Sequence, residues 1–322
     1  MKAIRIHQYG GPEAMQLDEL PPPTPGPWEV LIRVEAAGVN FLDIYQRSGA
    51  YKSDLPLVLG QEGAGTVEAV GPGVTDLSIG DRVGWVNIIG SYATHLVAPA
   101  ERIVRIPDGI DTQTATAAML QGMTAHYLAY SMVQLGADDA CLVHAAAGGV
   151  GQLLCQMLKM RGSRVIGTVS TEEKARVARA AGADEIIFYT RDDFEAETKR
   201  LTNGRGVTVV YDSVGKDTFD KSLNSLRLRG SLVLFGQSSG AVAPVDPQVL
   251  NVKGSLWLTR PTLAHYVATN EELRSRADDV LGWIAAGKLR VAVDRTYPLN
   301  QAADAHRALA GRETMGKVLL IP

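Results

Sequence analysis

Gly148, Gly149 and Gly151, with Val150 among them, stand at the junction of an apolar run and a helical pattern in HAAAGGVGQLLCQMLK (His144 to Lys159). Cys141, Leu142 and Val143 supply a strand, and Val150, Leu153, Leu154, Met157 and Leu158 recur at helical spacing. A turn without Cβ atoms lets a phosphate approach the N–H groups at the positive end of the helix. Against the dinucleotide fingerprint GxGxxG the frame is Ala146, Gly148, Gly151, with one glycine replaced. By itself the cluster also fits a plain tight turn.

The next strand end bears on the choice of nicotinamide cofactor. NAD calls for a carboxylate about twenty residues past the glycines, to accept from the ribose hydroxyls. Here Gly167 to Thr171 is GTVST, neutral and small, Ser170 included, and Lys174 follows. A lysine there can pair with a 2′-phosphate, which favours NADPH. The other reading of Lys174 is a solvated helix residue balanced by Glu172 and Glu173.

Further strands recur at RVIGTVS (Arg164 to Ser170), EIIFY (Glu185 to Tyr189), VTVVYDSVG (Val207 to Gly215) and SLVLFGQSSG (Ser231 to Gly240), with helical patterns separating them. That alternation predicts an α/β domain of Rossmann type, a doubly wound parallel sheet binding a nucleotide at its carboxyl edge. Before residue 120 the chain is rich in Gly and Pro. Its short runs VLIRVEAAGV (Val30 to Val39), GAGTVEAVG (Gly63 to Gly71), DRVGWV (Asp81 to Val86) and YATHLVAP (Tyr92 to Pro99) predict a largely antiparallel, mainly-β domain. The start, MKAIRIHQYG, alternates like an edge strand. A helix near Glu271 to Ala286, a strand near Val291 to Tyr297, a helix near Ala302 to Ala310 and a last strand, GKVLLIP, return to the first domain. The expected boundaries are 1–122, 123–261 and 262–322.

The 322 residues carry a net charge of −3 and 6% aromatics, without basic-aromatic interleaving, which argues against nucleic acid as the main partner. No apolar run is long enough to span a bilayer and the start lacks a signal core, so a cytoplasmic protein is expected. The two cysteines, Cys141 and Cys155, fall in apolar patterns and predict buried thiols.

The order of HQYGGPE (His7 to Glu13), AAGVNFLDIYQRSGAY (Ala36 to Tyr51), AAAGGVG, YDSVG and FGQSSG resembles the medium-chain dehydrogenases/reductases. Within that superfamily the chain is similar to the zinc-free, zeta-crystallin-like quinone oxidoreductases over essentially its whole length. The resemblance implies a GroES-like catalytic domain beside the Rossmann domain, and a homodimer formed through sheet edges, with SLWLTR (Ser255 to Arg260) a candidate strand. Zinc alcohol dehydrogenases carry a histidine in GHExxG, whereas Gly60 to Gly65 is GQEGAG, with Gln61 in its place. An amide oxygen is a poor zinc ligand, and the cysteine cluster of those enzymes is absent after Asp81, so no metal ligands are expected. The six histidines match no ligand pattern and are expected to be structural or surface residues.

Reduction of an electron-poor acceptor by NADPH is then the expected chemistry, with a quinone as the small-molecule partner. The resemblance turns the segment bearing Asn40, Asp43, Tyr45 and Tyr51 toward the nicotinamide. Tyr45 or Tyr51 can hydrogen-bond to the acceptor oxygen or donate a proton. The plainer reading has Tyr51 packing in a loop and Asp43 capping a helix. By the same resemblance Thr124 lies near the nicotinamide, and Lys174 and Tyr189 near the adenosine phosphate. Ser213, Val214, Phe235, Gly236, Gln237 and Ser238 lie along the cofactor, while Thr259, Arg260 and Arg312 close over it. Two rival functions stay open: an enone or enoyl-thioester reductase of the same superfamily, with a tyrosine near the place of Tyr51, and a zeta-crystallin-like RNA-binding or structural protein.

Overall fold

The computed structural model describes residues 1–136 and 139–322. The chain divides into two units, Met1–Met123 with Val267–Pro322, and Thr124–Tyr266.

The first unit is mainly β. Its strands before the nucleotide unit are β1 (Lys2–Ile6), β2 (Met15–Glu19), β3 (Glu29–Val39), β4 (Leu57–Val58), β5 (Glu62–Val70), β6 (Arg82–Val86), β7 (His95–Pro99) and β8 (Val104–Arg105). Helix α1 (Phe41–Ser48) follows β3, and α2 (Thr112–Tyr127) runs across the boundary between the units. The opening strand β1 is not an edge strand: it lies between β2 and β4, pairing antiparallel with both. Its Ala3, Ile4 and Ile6 are buried.

Strand β3 organises the unit. Its eleven residues pair antiparallel with β5 and with β7, and its last residues pair with the C-terminal strand. Val30, Ile32 and Val34 alternate into the core with Val67, Val83, Trp85 and Leu96.

The second unit is a six-stranded sheet in which every pairing is parallel. Its strands are β9 (Ala140–Val143), β10 (Arg164–Val169), β11 (Glu185–Phe188), β12 (Val207–Asp212), β13 (Leu226–Leu234) and β14 (Trp257–Thr259), in the order β11-β10-β9-β12-β13-β14. This is the doubly wound order, with its switch point between β9 and β12. Helices α3 (Gly149–Met160), α4 (Glu172–Ala180), α5 (Phe194–Leu201), α6 (Phe219–Asn224), α7 (Gln248–Val252) and α8 (Leu263–Tyr266) complete the unit. Leu142, Ile166, Ile187, Val210 and Leu232 form near-continuous apolar strand interiors.

The chain then returns to the first unit through α9 (Asn270–Ala285), β15 (Val293–Pro298), α10 (Ala302–Ala310) and β16 (Lys317–Ile321). Strands β15 and β16 pair in parallel, an exception to the antiparallel pattern, because α10 forms a crossover between them.

Candidate active site

At the end of β9 the chain turns through Ala145, held at a positive φ of 51°, and enters α3 with Gly148 as N-cap. A Cβ on Gly151 would lie 2.3 Å from the Ala145 carbonyl oxygen and 2.9 Å from the Ala146 backbone, so only glycine lets α3 approach the strand. The first amides of α3, at Gly149, Val150 and Gly151, have no intrahelical acceptor and form an anion-binding end at the switch point. The turn thus fits a pyrophosphate.

The other strand ends lie along the same edge of the sheet. Ser170 follows β10, and Thr171 caps α4, its hydroxyl accepting from Lys174 N at 3.2 Å. Lys174 is half-buried in the first turn of α4, and Tyr189 follows β11, exposed. Ser213 and Val214 follow β12, and Phe235, Gly236, Gln237 and Ser238 follow β13, all half-buried. Thr259 ends β14, with Arg260 exposed after it. Thr124 is buried in α2, and Arg312 is an exposed residue of the first unit, at a positive φ of 59° after α10.

A buried network supports these ends. Asp212 Oδ1 accepts from Val214 N at 2.7 Å and Gly215 N at 3.0 Å, while Oδ2 accepts from the hydroxyls of Thr218 and Ser222. His144 lies 3.0 Å from both Ser222 Oγ and Thr168 Oγ1. With the Ser222 hydroxyl committed to Asp212, His144 donates from Nε2 and accepts at Nδ1. Burial pushes its pKa down, keeping the ring neutral.

In the first unit, α1 begins at Asn40, whose backbone N–H donates to Asp43 Oδ2 at 2.8 Å. Asp43 is therefore a capping residue and fully buried. Tyr92 OH donates to the same oxygen at 2.9 Å and lies 3.1 Å from His306 Nε2. Arg47 Nη1 is 3.2 Å from His306 Nδ1. Guanidinium has only donors, so His306 accepts at Nδ1 and donates from Nε2, and the chain Arg47, His306, Tyr92 runs donor to acceptor into Asp43. Burial pushes the Asp43 carboxyl up to about 7, against the hydrogen bonds from Asn40 and Tyr92. Burial, reinforced by Arg47, pushes His306 down to about 3.

The exposed side of the same segment carries the tyrosines. The rings of Tyr45 and Tyr51 meet edge-on, 5.3 Å apart, and Tyr51 N donates to Tyr45 O at 3.0 Å. Gly49, at φ 79°, ends α1 against the Tyr9 ring, and the Tyr9 hydroxyl accepts from Ser53 N at 2.8 Å. Tyr9 of the HQYGGPE motif thereby braces the turn that brings Tyr51 back to Tyr45.

The alcohol dehydrogenase GroES-like domain family matches residues 26–108, and the zinc-binding dehydrogenase family matches residues 181–320. A quinone oxidoreductase of Pseudomonas aeruginosa is 46% identical over 323 aligned residues, spanning 100% of this chain and 99% of its own. The chain belongs to the quinone oxidoreductases of the medium-chain dehydrogenase/reductase superfamily. A 2-haloacrylate reductase of a Burkholderia species is 42% identical, over 99% of this chain and 98% of its own. The crystal structure of Escherichia coli quinone oxidoreductase complexed with NADPH superposes with a TM-score of 0.98 at 42% identity, covering both chains completely. The mainly-β unit of this quinone oxidoreductase family member is accordingly GroES-like, and its parallel-sheet unit is the Rossmann domain.

One matched family is that of the zinc-binding dehydrogenases, and the donor set here does not fit a zinc site. Gln61 offers an amide, Glu62 is bonded to Lys317, Asn40 and Leu120 N, and Cys141 and Cys155 are buried in the Rossmann unit. Among the described residues no group of three or more His, Cys, Asp or Glu side chains is gathered to hold a metal ion. Sequence reasoning passed over Glu62, Lys317, Tyr92 and Asp212. A lone lysine opening the apolar run KVLLI was the one signal for Lys317.

Proposed function

We propose that this protein is a zinc-independent NADPH:quinone oxidoreductase, transferring hydride from the nicotinamide to a quinone or a similar electron-poor acceptor. The observation that carries it is the glycine turn at the switch point of the parallel sheet, in a chain aligned end to end with quinone oxidoreductases. Bound NADPH supplies the hydride. The N-terminal amides of α3 hold the pyrophosphate, Lys174 pairs with the 2′-phosphate beside Ser170 and Tyr189, and Thr124 lies at the nicotinamide. Ser213, Val214 and Phe235 to Ser238 line the cofactor, with Thr259, Arg260 and Arg312 closing over it.

Tyr45 and Tyr51 orient the acceptor oxygen, with Asn40 beside them and Asp43 fixing the helix that carries them. A quinone needs no strong acid, because the reduced oxygen takes its proton from water. The first unit, Met1–Met123 with Val267–Pro322, serves as the catalytic domain and the second, Thr124–Tyr266, as the nucleotide domain, which keeps α8 in the nucleotide domain where the sequence places the boundary at 261. Two chains pair through the open edge at β14, where Trp257 is 70% exposed, giving a homodimer in the cytoplasm. Light scattering of the parent and of Trp257→Lys distinguishes a dimer from a monomer.

The testing experiment is an NADPH-oxidation screen over small quinones, alkenals and enoyl thioesters, with matched blanks, before and after chelation. Quinone turnover unaffected by chelator is expected. Tightly held stoichiometric zinc, with activity lost on its removal, refutes the zinc-independent reading. Likeness to a 2-haloacrylate reductase favours one second reading, reduction of an activated alkene, and faster turnover of alkenals than of quinones selects it.

A further inference from the structure

Asn40, Glu62 and Lys317 come from three distant places in the chain and meet in the interior of the first unit, Glu62 and Lys317 with no exposed surface. Lys317 Nζ donates to Asn40 Oδ1 at 2.8 Å and pairs with Glu62 Oε1. Asn40 Nδ2 donates to that same carboxylate oxygen at 2.7 Å. This triangle settles which way the amide faces: turned over, its NH2 would meet the ammonium and its oxygen the carboxylate. The other carboxylate oxygen, Glu62 Oε2, accepts from the Leu120 backbone N–H of α2 at 2.6 Å. One carboxylate thus joins β5, β16, the head of α1 and the helix that leads into the Rossmann unit.

The space for the pair is built into the sequence. A Cβ on Gly38 would lie 2.2 Å from Glu62 Oε1 and 2.6 Å from Lys317 Cε. Glycine weakens a strand interior, and in β3 it clears the room in which the two charges meet. A buried ion pair adds little net stability over apolar residues of the same volume. What it adds here is direction, for the amide at the head of α1.

We propose that Lys317 and Glu62 are positioning residues for hydride acceptance, holding the Asn40 amide and the start of α1, and through α1 Tyr45 and Tyr51, in the working orientation. The inference rests on the reading of that segment as the acceptor side.

The test compares Lys317→Met, the double variant Glu62→Gln/Lys317→Met and Asn40→Ala with the parent, by melting temperature, NADPH titration and quinone kcat and KM. Lys317→Met leaves a buried carboxylate unpaired and melts lower. The double variant removes both charges and regains the parental melting temperature and NADPH affinity within about twofold, yet its kcat stays about 10- to 100-fold low, the scale of a small misplacement. A double variant with parental melting, kcat and KM overturns the proposal. Should the double variant not fold, Asn40→Ala decides: it keeps the ion pair, a comparable kcat loss is expected, and parental kcat overturns the proposal. A parent that reduces no quinone refutes the functional reading instead. Positioning is then decided by NMR of the Asn40 side-chain NH2 and by Leu120 amide exchange: release of both in the double variant supports it, and no change overturns it.

Discussion

The two units handle buried polarity in opposite ways. Beneath the Rossmann strand ends, Asp212 is the one formal charge of its network, and its partners are backbone amides, hydroxyls and the neutral His144. In the GroES-like unit, Lys317 and Glu62 are both fully buried, and Arg47 and Asp43 are joined through His306 and Tyr92. The Rossmann side presents backbone donors that any dinucleotide can use, and Asp212 holds its own loop through bonds two to ten residues away. The GroES-like side fixes particular side chains, with charges drawn from both ends of the chain. Changes on one side should therefore leave the other side's function standing.

The largest effects should come from adding one carbon on each side. Gly151→Ala forces its Cβ against the Ala145 carbonyl, and NADPH affinity should fall about 100-fold, about 2.7 kcal/mol, with a lower melting temperature. Gly38→Ala meets Glu62 and Lys317 instead, so quinone turnover should fall while NADPH affinity stays parental. Loss of NADPH affinity in Gly38→Ala, seen by fluorescence titration, would erase the contrast.

Cofactor choice comes next. NADPH should bind more tightly than NADH, and Lys174→Ala should narrow the difference by about 1–3 kcal/mol, with quinone KM unchanged. Equal affinity of the parent for both cofactors would remove Lys174 from the phosphate site.

The charged network should also show itself in stability against pH. The folded Asp43 carboxyl lies above its ordinary 3.8, at about 7, so over that interval the folded state holds more protons and stability falls as pH rises. Folded His306, at about 3, lies below its ordinary 6.5, so the unfolded chain holds more protons and stability rises with pH. The slopes oppose one another between 3.8 and 6.5. Asp43→Asn should leave the rise unopposed, about 1 kcal/mol per pH unit in urea titrations at pH 4.5 and 6.5. His306→Gln should leave the fall.

Tyr51→Phe should matter least, lowering quinone kcat by less than about tenfold, because a proton from water suffices. A loss of about 100-fold or more at unchanged NADPH affinity would make the tyrosine an essential acid and favour the activated-alkene reading.

The sequence by itself determined the Rossmann side. Small residues follow several of its strands, Ser170 and Thr171 after β10, Ser213 after β12 and Gly236 to Ser238 after β13, and the turn from Ala146 to Gly151 needs glycine because of atoms five or six residues away, so the pattern is visible locally. The order of β3, β5 and β6 and the return through α10 and β16 were also legible, as alternating apolar runs between Gly and Pro. Helix α1 was legible only through the plainer reading of Asp43 as a helix cap, since its eight residues are too few for periodicity to declare. Tertiary structure alone decided that β1 is a middle strand, because pairing partners leave no mark on the strand itself. It also decided the buried network of the GroES-like unit. Lys317 is 255 residues from Glu62 and 277 from Asn40, and His306 is 214 from Tyr92. The cost of burying a charge depends on where its counter-charge lies in space, and chain spacing does not encode that distance.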